Sequence, residues 1–204
     1  MGQDGFTDAI APEGPRWRVG HIYTGLEIRP WRKYLAELDA VLGEAFARGS
    51  IRSLARYDVR TEEELRASLR MVAGVDLLLL DLHGGVQDGH AQLYVHSRGM
   101  PVALADVGAG RWQIPVIVLS CCEGGTEHFR DAIQQLADGP VLTVGHDGRV
   151  GTYDHTTVRV VDSILRVSEP GPSVAARDAS SEQLRNRHWS AEILPARGSF
   201  PHAK

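Results

Sequence analysis

Cysteine, aromatic residues and long apolar runs are all scarce in this sequence. Only two of the 204 residues are cysteine, and they are adjacent, Cys121 and Cys122. Neighbouring Cα atoms lie about 3.8 Å apart, too close for ordinary disulfide geometry, so neither a bridge nor a disulfide framework is expected. No apolar stretch approaches the roughly 20 residues that cross a bilayer. The opening MGQDGFTDAIAPEGP has neither the basic nor the apolar region of a signal peptide, and Phe6 stands where a myristoylation signal at Gly2 would need Ser or Thr. A cytoplasmic location away from membranes follows as the expectation. Twenty-two basic against 26 acidic residues leave a net charge of −4 and no basic footprint, which argues against direct nucleic-acid binding.

What remains is an ordinary globular composition, 43% hydrophobic and 24% charged, in a chain long enough for one well-buried domain. Residues 1–15 read as a disordered arm. Trp17 to Ile28 reads as a first strand. Pro30 suits the start of a helix and Gly49 its end, with Trp31, Leu35, Leu38, Leu42 and Ala45 forming one apolar stripe between them. Ile51 to Tyr57 fits a short strand. Thr61-Glu62-Glu63-Glu64 is a capping box, which predicts a helix to about Val72.

The run 75–82 (VDLLLLDL) is too continuously apolar for a half-solvated element and predicts a buried parallel strand; Pro115 to Ser120 (PVIVLS) predicts another. Between them, 86–113 suggests a hairpin and loops. A helix over Thr126 to Leu136, a strand over Val141 to Val144 and a helix over Asp154 to Val167 follow. Alternating strands and helices predict an α/β fold, a three-layer α/β/α sandwich around a mostly parallel sheet of about five or six strands. The domain is expected to span 16–168, with 169–204 as a surface-wrapping or mobile tail rich in Pro, Ser, Gly and Arg.

Functional groups of open α/β sheets gather where parallel strands end. One predicted buried strand ends in His83-Gly84-Gly85 and the other in Cys121-Cys122-Glu123-Gly124-Gly125. Side by side, these strands would bring an imidazole and a thiol to one sheet edge, as a cysteine nucleophile with a histidine base requires. A nearby imidazolium and the N-terminal end of the helix expected from Thr126 both favour thiolate. The glycines allow close backbone approach, so the amides of Gly84 and Cys122 are candidates for an oxyanion hole.

DLHGG at 81–85 followed by VIVLSCCEGG at 116–125 resembles the paired signature of caspase-like cysteine peptidases. The clan includes caspases, metacaspases, separases and gingipains, and the CHAT group is the nearest match. The later GPVLTVGHDGRVGTYDHTTVRVVDSIL is similar to that group's next strand, polar loop and helix. In the usual Leu-Ser-Ala-Cys-x-Thr-Gly motif, Cys121 takes the place of Ala, Cys122 that of the nucleophile, and Gly124 replaces Thr. The resemblance implies His83 as general base, Cys122 as nucleophile, Gly84 in the oxyanion hole and endopeptidase action on protein or peptide substrates. It further implies a regulated bacterial defence or signalling protease, switched by a partner protein, with 86–113 and 169–204 as candidate control segments. No metal or organic cofactor is expected; some relatives bind calcium, but no calcium loop is recognisable.

Each motif also has a plainer reading. A His-Gly after a strand is often only a turn, and a cysteine at a strand end is more often packing than chemistry. Their joint occurrence, each after a buried strand and before glycine, favours the dyad, with Cys121 as the packing cysteine. A zinc site from His83, His90, Cys121 and Cys122 lacks the usual separated Cys pairs. His21, His96, His128, His146, His155, His188 and His202 read as surface or loop residues. Asp88, Glu123 and Asp147 are candidate substrate-binding carboxylates, giving a weak preference for cleavage after Arg or Lys. Two alternatives are a catalytically inactive scaffold that binds a partner through the same cleft and a flavodoxin-like small-molecule binder or hydrolase.

Overall fold

The computed structural model describes residues 16–24, 28–96, 98–107, 112–149, 155–167, 170–184 and 188–196. The arm expected over 1–15 and the last residues, 197–204, lie outside them. In chain order the elements are β1 (Trp17–Tyr23), α1 (Ile28–Ala47), β2 (Ile51–Asp58), α2 (Glu62–Met71) and β3 (Leu77–Asp81). A hairpin of β4 (His83–Gln87) and β5 (His90–Tyr94) follows, then β6 (Val102–Ala103) and one 3-10 turn, Leu104–Val107. β7 (Val116–Leu119), α3 (Glu127–Leu136), β8 (Val141–His146), α4 (Thr156–Leu165), α5 (Val174–Gln183) and β9 (Trp189–Leu194) complete the order.

The apolar strands occupy the middle of a six-stranded sheet ordered β2-β1-β3-β7-β8-β9, parallel except for β9. Every residue of β3 and β7 is buried, as a strand covered on both faces requires. Alternation then divides the core. Leu77, Leu79, Val116, Val118, Leu142 and Val144 pack with α1, α4 and Ala176 of α5. Leu78, Leu80, Ile117 and Leu119 pack with α2, α3 and the inner side of the β4-β5-β6 sheet. The result is a three-layer α/β/α sandwich, as the alternating pattern predicts.

Boundaries differ from the sequence expectation in instructive places. β1 stops at Tyr23 and α1 begins at Ile28, so Pro30 lies inside the first turn, where its missing N–H breaks no helical hydrogen bond. β3 begins only at Leu77, after Asp76 has accepted hydrogen bonds from the backbone N–H and guanidinium of Arg18. Asp154, the expected start of the next helix, lies outside the described residues. The capping box forms: Thr61 Oγ1 accepts from Glu64 N–H at 3.2 Å, and Glu64 Oε2 accepts from Thr61 N–H at 3.2 Å. Thr61→Ala is expected to cost about 1 kcal/mol, lowering Tm by about 2–4 °C in a thermal unfolding scan.

Within 169–204, where a surface-wrapping or mobile tail is expected, the described residues form two further elements. Val174–Gln183 is a helix packed on α4, and Trp189–Leu194 pairs antiparallel with β8 as the sixth strand of the main sheet. Composition averaged over this stretch conceals a short edge strand whose apolar ends, Trp189 and Leu194, pack on opposite faces of the sheet.

Candidate active site

β1 connects to β2 on one side, while β3 lies on its other side, so α1 and α2 cover opposite faces of the sheet. Such a reversal opens a crevice at the carboxyl ends of the strands. Here it is a small recess between β1 and β3, lined by Tyr23, Thr24, Leu35, Asp81, Leu82 and His83. A larger recess of about 420 Å³ lies at the opposite ends of the strands, around Asp76, Trp112, Pro115 and Pro140. It contains neither His83 nor Cys122, and its size alone gives it no chemistry. Trp112 itself is a core residue, 2% exposed.

Register brings the two motif segments to the same end of the sheet. β3 and β7 pair in parallel up to Leu80 opposite Leu119, and Ser120 N–H donates to Leu80 O at 2.9 Å. Beyond that pair the parallel ladder stops: His83 opens β4, paired with Tyr94 of β5, and Cys122 lies in the turn that follows β7. Leu82 and Cys121 pack in the core with Leu80 and Leu119, whereas Asp81 and Ser120 meet Tyr34 on the α1 side. The turns remain in backbone contact past the strand ends. A methyl group on Gly84 would lie 2.7 Å from Cys122 O and 2.9 Å from Cys121 Sγ. Only glycine fits at that approach.

The two cysteines have different environments. Cys121 is 1% exposed, and Cys122 is half-buried. Burial pushes the Cys121 thiol well above its ordinary value of 9.0, and the charges of Cys122, Asp81 and Glu123 add to this. The folded state therefore holds the Cys121 proton where the unfolded chain releases it. This contribution to stability is complete below pH about 9 and declines as pH rises further. Thermal scans from pH 8 to 11 are expected to show a falling Tm, with a shallower fall in Cys121→Ala.

Among the described residues, the Cys122 N–H has no hydrogen-bond acceptor within the chain. The loop around it is otherwise well tied. Glu123 N–H donates to Gly148 O at 2.7 Å, Gly125 N–H to His146 O at 2.9 Å, and Thr126 Oγ1 to Glu123 O at 2.7 Å. Arg130 of α3 donates to Gly125 O. Gly145 and Gly124 are packed so closely that a methyl on Gly145 would meet Gly124 backbone at 2.5 Å.

The three candidate carboxylates fall in different places. Asp88 occupies the tip of the β4-β5 hairpin with φ 52°, followed by Gly89 at 76°, the backbone signature of a tight hairpin turn. It stands at the other end of β4 from His83, and the turn accounts for its presence. Glu123 lies on the cysteine turn, but its Oε2 accepts from Val86 N–H at 2.6 Å. Asp147 is exposed beside the same turn, its Oδ1 2.5 Å from where a Gly125 methyl would stand.

A buried polar network behind this edge was not anticipated from the sequence. His21, expected at the surface, is wholly buried on β1, and its Nε2 lies 2.6 Å from Asp81 Oδ2. Tyr34 Oη donates to Asp81 Oδ1 at 2.6 Å and lies 3.4 Å from Ser120 Oγ, which accepts from Thr157 Oγ1 at 3.1 Å. Burial, reinforced by the Asp81 charge, holds the Tyr34 phenol protonated well above its ordinary pKa. The visible signal was Asp81 itself: a carboxylate inside a buried apolar strand needs hydrogen-bond partners. His146 was also expected in a loop, but it ends β8 at 5% exposure, edge-on to Trp189.

No protein-family model and no curated protein matches the chain. Among the described residues, no helix is long and apolar enough to cross a membrane.

Proposed function

We propose that this chain is a cysteine endopeptidase of the caspase-like kind, with His83 and Cys122 as its catalytic dyad. The observation that supports the reading is the close approach of Gly84, just past β3, to the carbonyl of Cys122, just past the adjacent parallel strand β7, with Cys121 buried and Cys122 half-buried. In the proposed reaction His83 takes the Cys122 proton, and sulfur attacks the scissile carbonyl carbon to form a C–S bond. The carbonyl oxygen, now negative, is held by the amides of Cys122 and Gly84. The C–N bond then breaks as His83 returns its proton to the leaving amine, leaving a thioester. Water, deprotonated by His83, attacks the thioester and releases the carboxylic acid and the thiol.

No metal or organic cofactor takes part in this scheme. Asp147 is the carboxylate we assign to a basic residue preceding the cleaved bond. The proposed setting is a cytoplasmic, regulated protease acting on protein substrates, switched by a partner protein. A panel of fluorogenic peptides ending in Arg, Lys, Asp or a neutral residue tests substrate preference. Release after Arg or Lys is the expected result, and cleavage confined to Asp contradicts it.

A further inference from the structure

We infer that Glu123 is a positioning residue that latches the His83 hairpin to the Cys122 turn. The inference rests on the dyad reading above. Glu123 follows Cys122 directly and adopts φ 61°, a left-handed conformation that a side chain makes costly. Glycine would relieve that strain, and glycines occupy the next two positions, yet this one carries a carboxylate. Its backbone is held on both sides, N–H to Gly148 O at 2.7 Å and carbonyl from Thr126 N–H at 3.0 Å and Oγ1 at 2.7 Å.

The left-handed turn sends the side chain across to β4, where Oε2 accepts from Val86 N–H at 2.6 Å. Val86 stands three residues after His83 on the same strand, which pairs throughout with β5 and closes at the Asp88-Gly89 turn. The charged acceptor thus joins the segment bearing the base to the turn bearing the nucleophile. The strain is consistent with a requirement for geometry, and the engaged Oε2 makes Glu123 a poor receptor for a substrate cation.

The test compares wild type, Glu123→Gly and Glu123→Gln by Tm, by hydrogen exchange at the Val86 amide, and by labelling of Cys122 with a peptidyl acyloxymethylketone. Glu123→Gly removes both strain and latch. Its Tm is expected to equal or exceed that of wild type, while Val86 exchanges faster and maximal labelling slows about 10²-fold, the scale of a small misplacement of reacting groups. Glu123→Gln keeps a weaker acceptor and is expected to restore the labelling rate to within about tenfold of wild type. Wild-type labelling in Glu123→Gly, or a Gln variant as slow as the Gly variant, overturns the latch. Absence of labelling in wild type overturns the dyad reading itself, and Val86 exchange still reports whether the tie exists.

Discussion

Under the proposed mechanism Cys122→Ala is expected to abolish peptide hydrolysis, a fall of about 10⁴-fold or more in kcat, because it removes the sulfur that forms the acyl intermediate. His83→Ala is expected to reduce kcat by about 10²–10⁴-fold, the usual range for losing a positioned general acid and base. Cys121→Ala provides the internal contrast. Its thiol is buried in the core that includes Leu119 and Phe129, beneath Gly84. Removing it is expected to lower stability by about 1 kcal/mol and leave kcat within a few-fold of wild type. Reporter hydrolysis and thermal unfolding on the same samples separate the two cysteines. Equal losses of kcat from Cys121→Ala and Cys122→Ala would contradict the assignment.

Asp81→Ala is expected to have the largest effect on stability, about 3–5 kcal/mol, or roughly 10 °C in Tm. The carboxylate is 5% exposed and accepts from the His21 ring and the Tyr34 hydroxyl, both buried. Its removal takes away the acceptor that the His21 ring and the Tyr34 hydroxyl share and opens a void at the end of β3. Tyr34→Phe removes only the hydroxyl and is expected to cost about 1–2 kcal/mol. The network also joins the strand ends that bear the proposed dyad. Asp81 precedes His83 by two residues and Ser120 precedes Cys122 by two, with Tyr34 between them. If the network served only local packing, Asp81→Ala and Tyr34→Phe would destabilise the fold without changing the labelling rate of Cys122 in the folded fraction. Its place behind both strand ends predicts that Asp81→Ala slows labelling as well.

The parts of the fold most legible in the sequence were those with strong periodic or continuous apolar signals. VDLLLLDL and PVIVLS read as central strands because a strand covered on both faces has no polar alternation, and Thr61 with Glu64 marked the start of α2. The edge strand Trp189–Leu194 was obscured because it lies in a polar stretch and its intervening residues are only partly buried. His83 was expected on a turn, but it opens β4, because Gly84 and Gly85 pair with Leu93 and Gln92 as strand residues. The candidate site rests on its local motifs. The network behind it was not legible in the sequence, since His21, Tyr34, Asp81, Ser120 and Thr157 meet only through folding over up to 136 positions of sequence. Glu123 illustrates the same limit. Its position beside Cys122 suggested a substrate contact, whereas the backbone turn delivers its carboxylate to Val86.

The most direct test of the dyad is intact-mass and peptide-mapping spectrometry after reaction with a peptidyl acyloxymethylketone panel, with wild type beside His83→Ala and Cys122→Ala. One adduct per chain, confined to Cys122, strongly slowed in His83→Ala and absent in Cys122→Ala, is the predicted result. An accessible Cys122 that labels no faster in wild type than in His83→Ala, or an adduct on Cys121, would contradict the dyad and favour a cleft that binds a partner without cutting it.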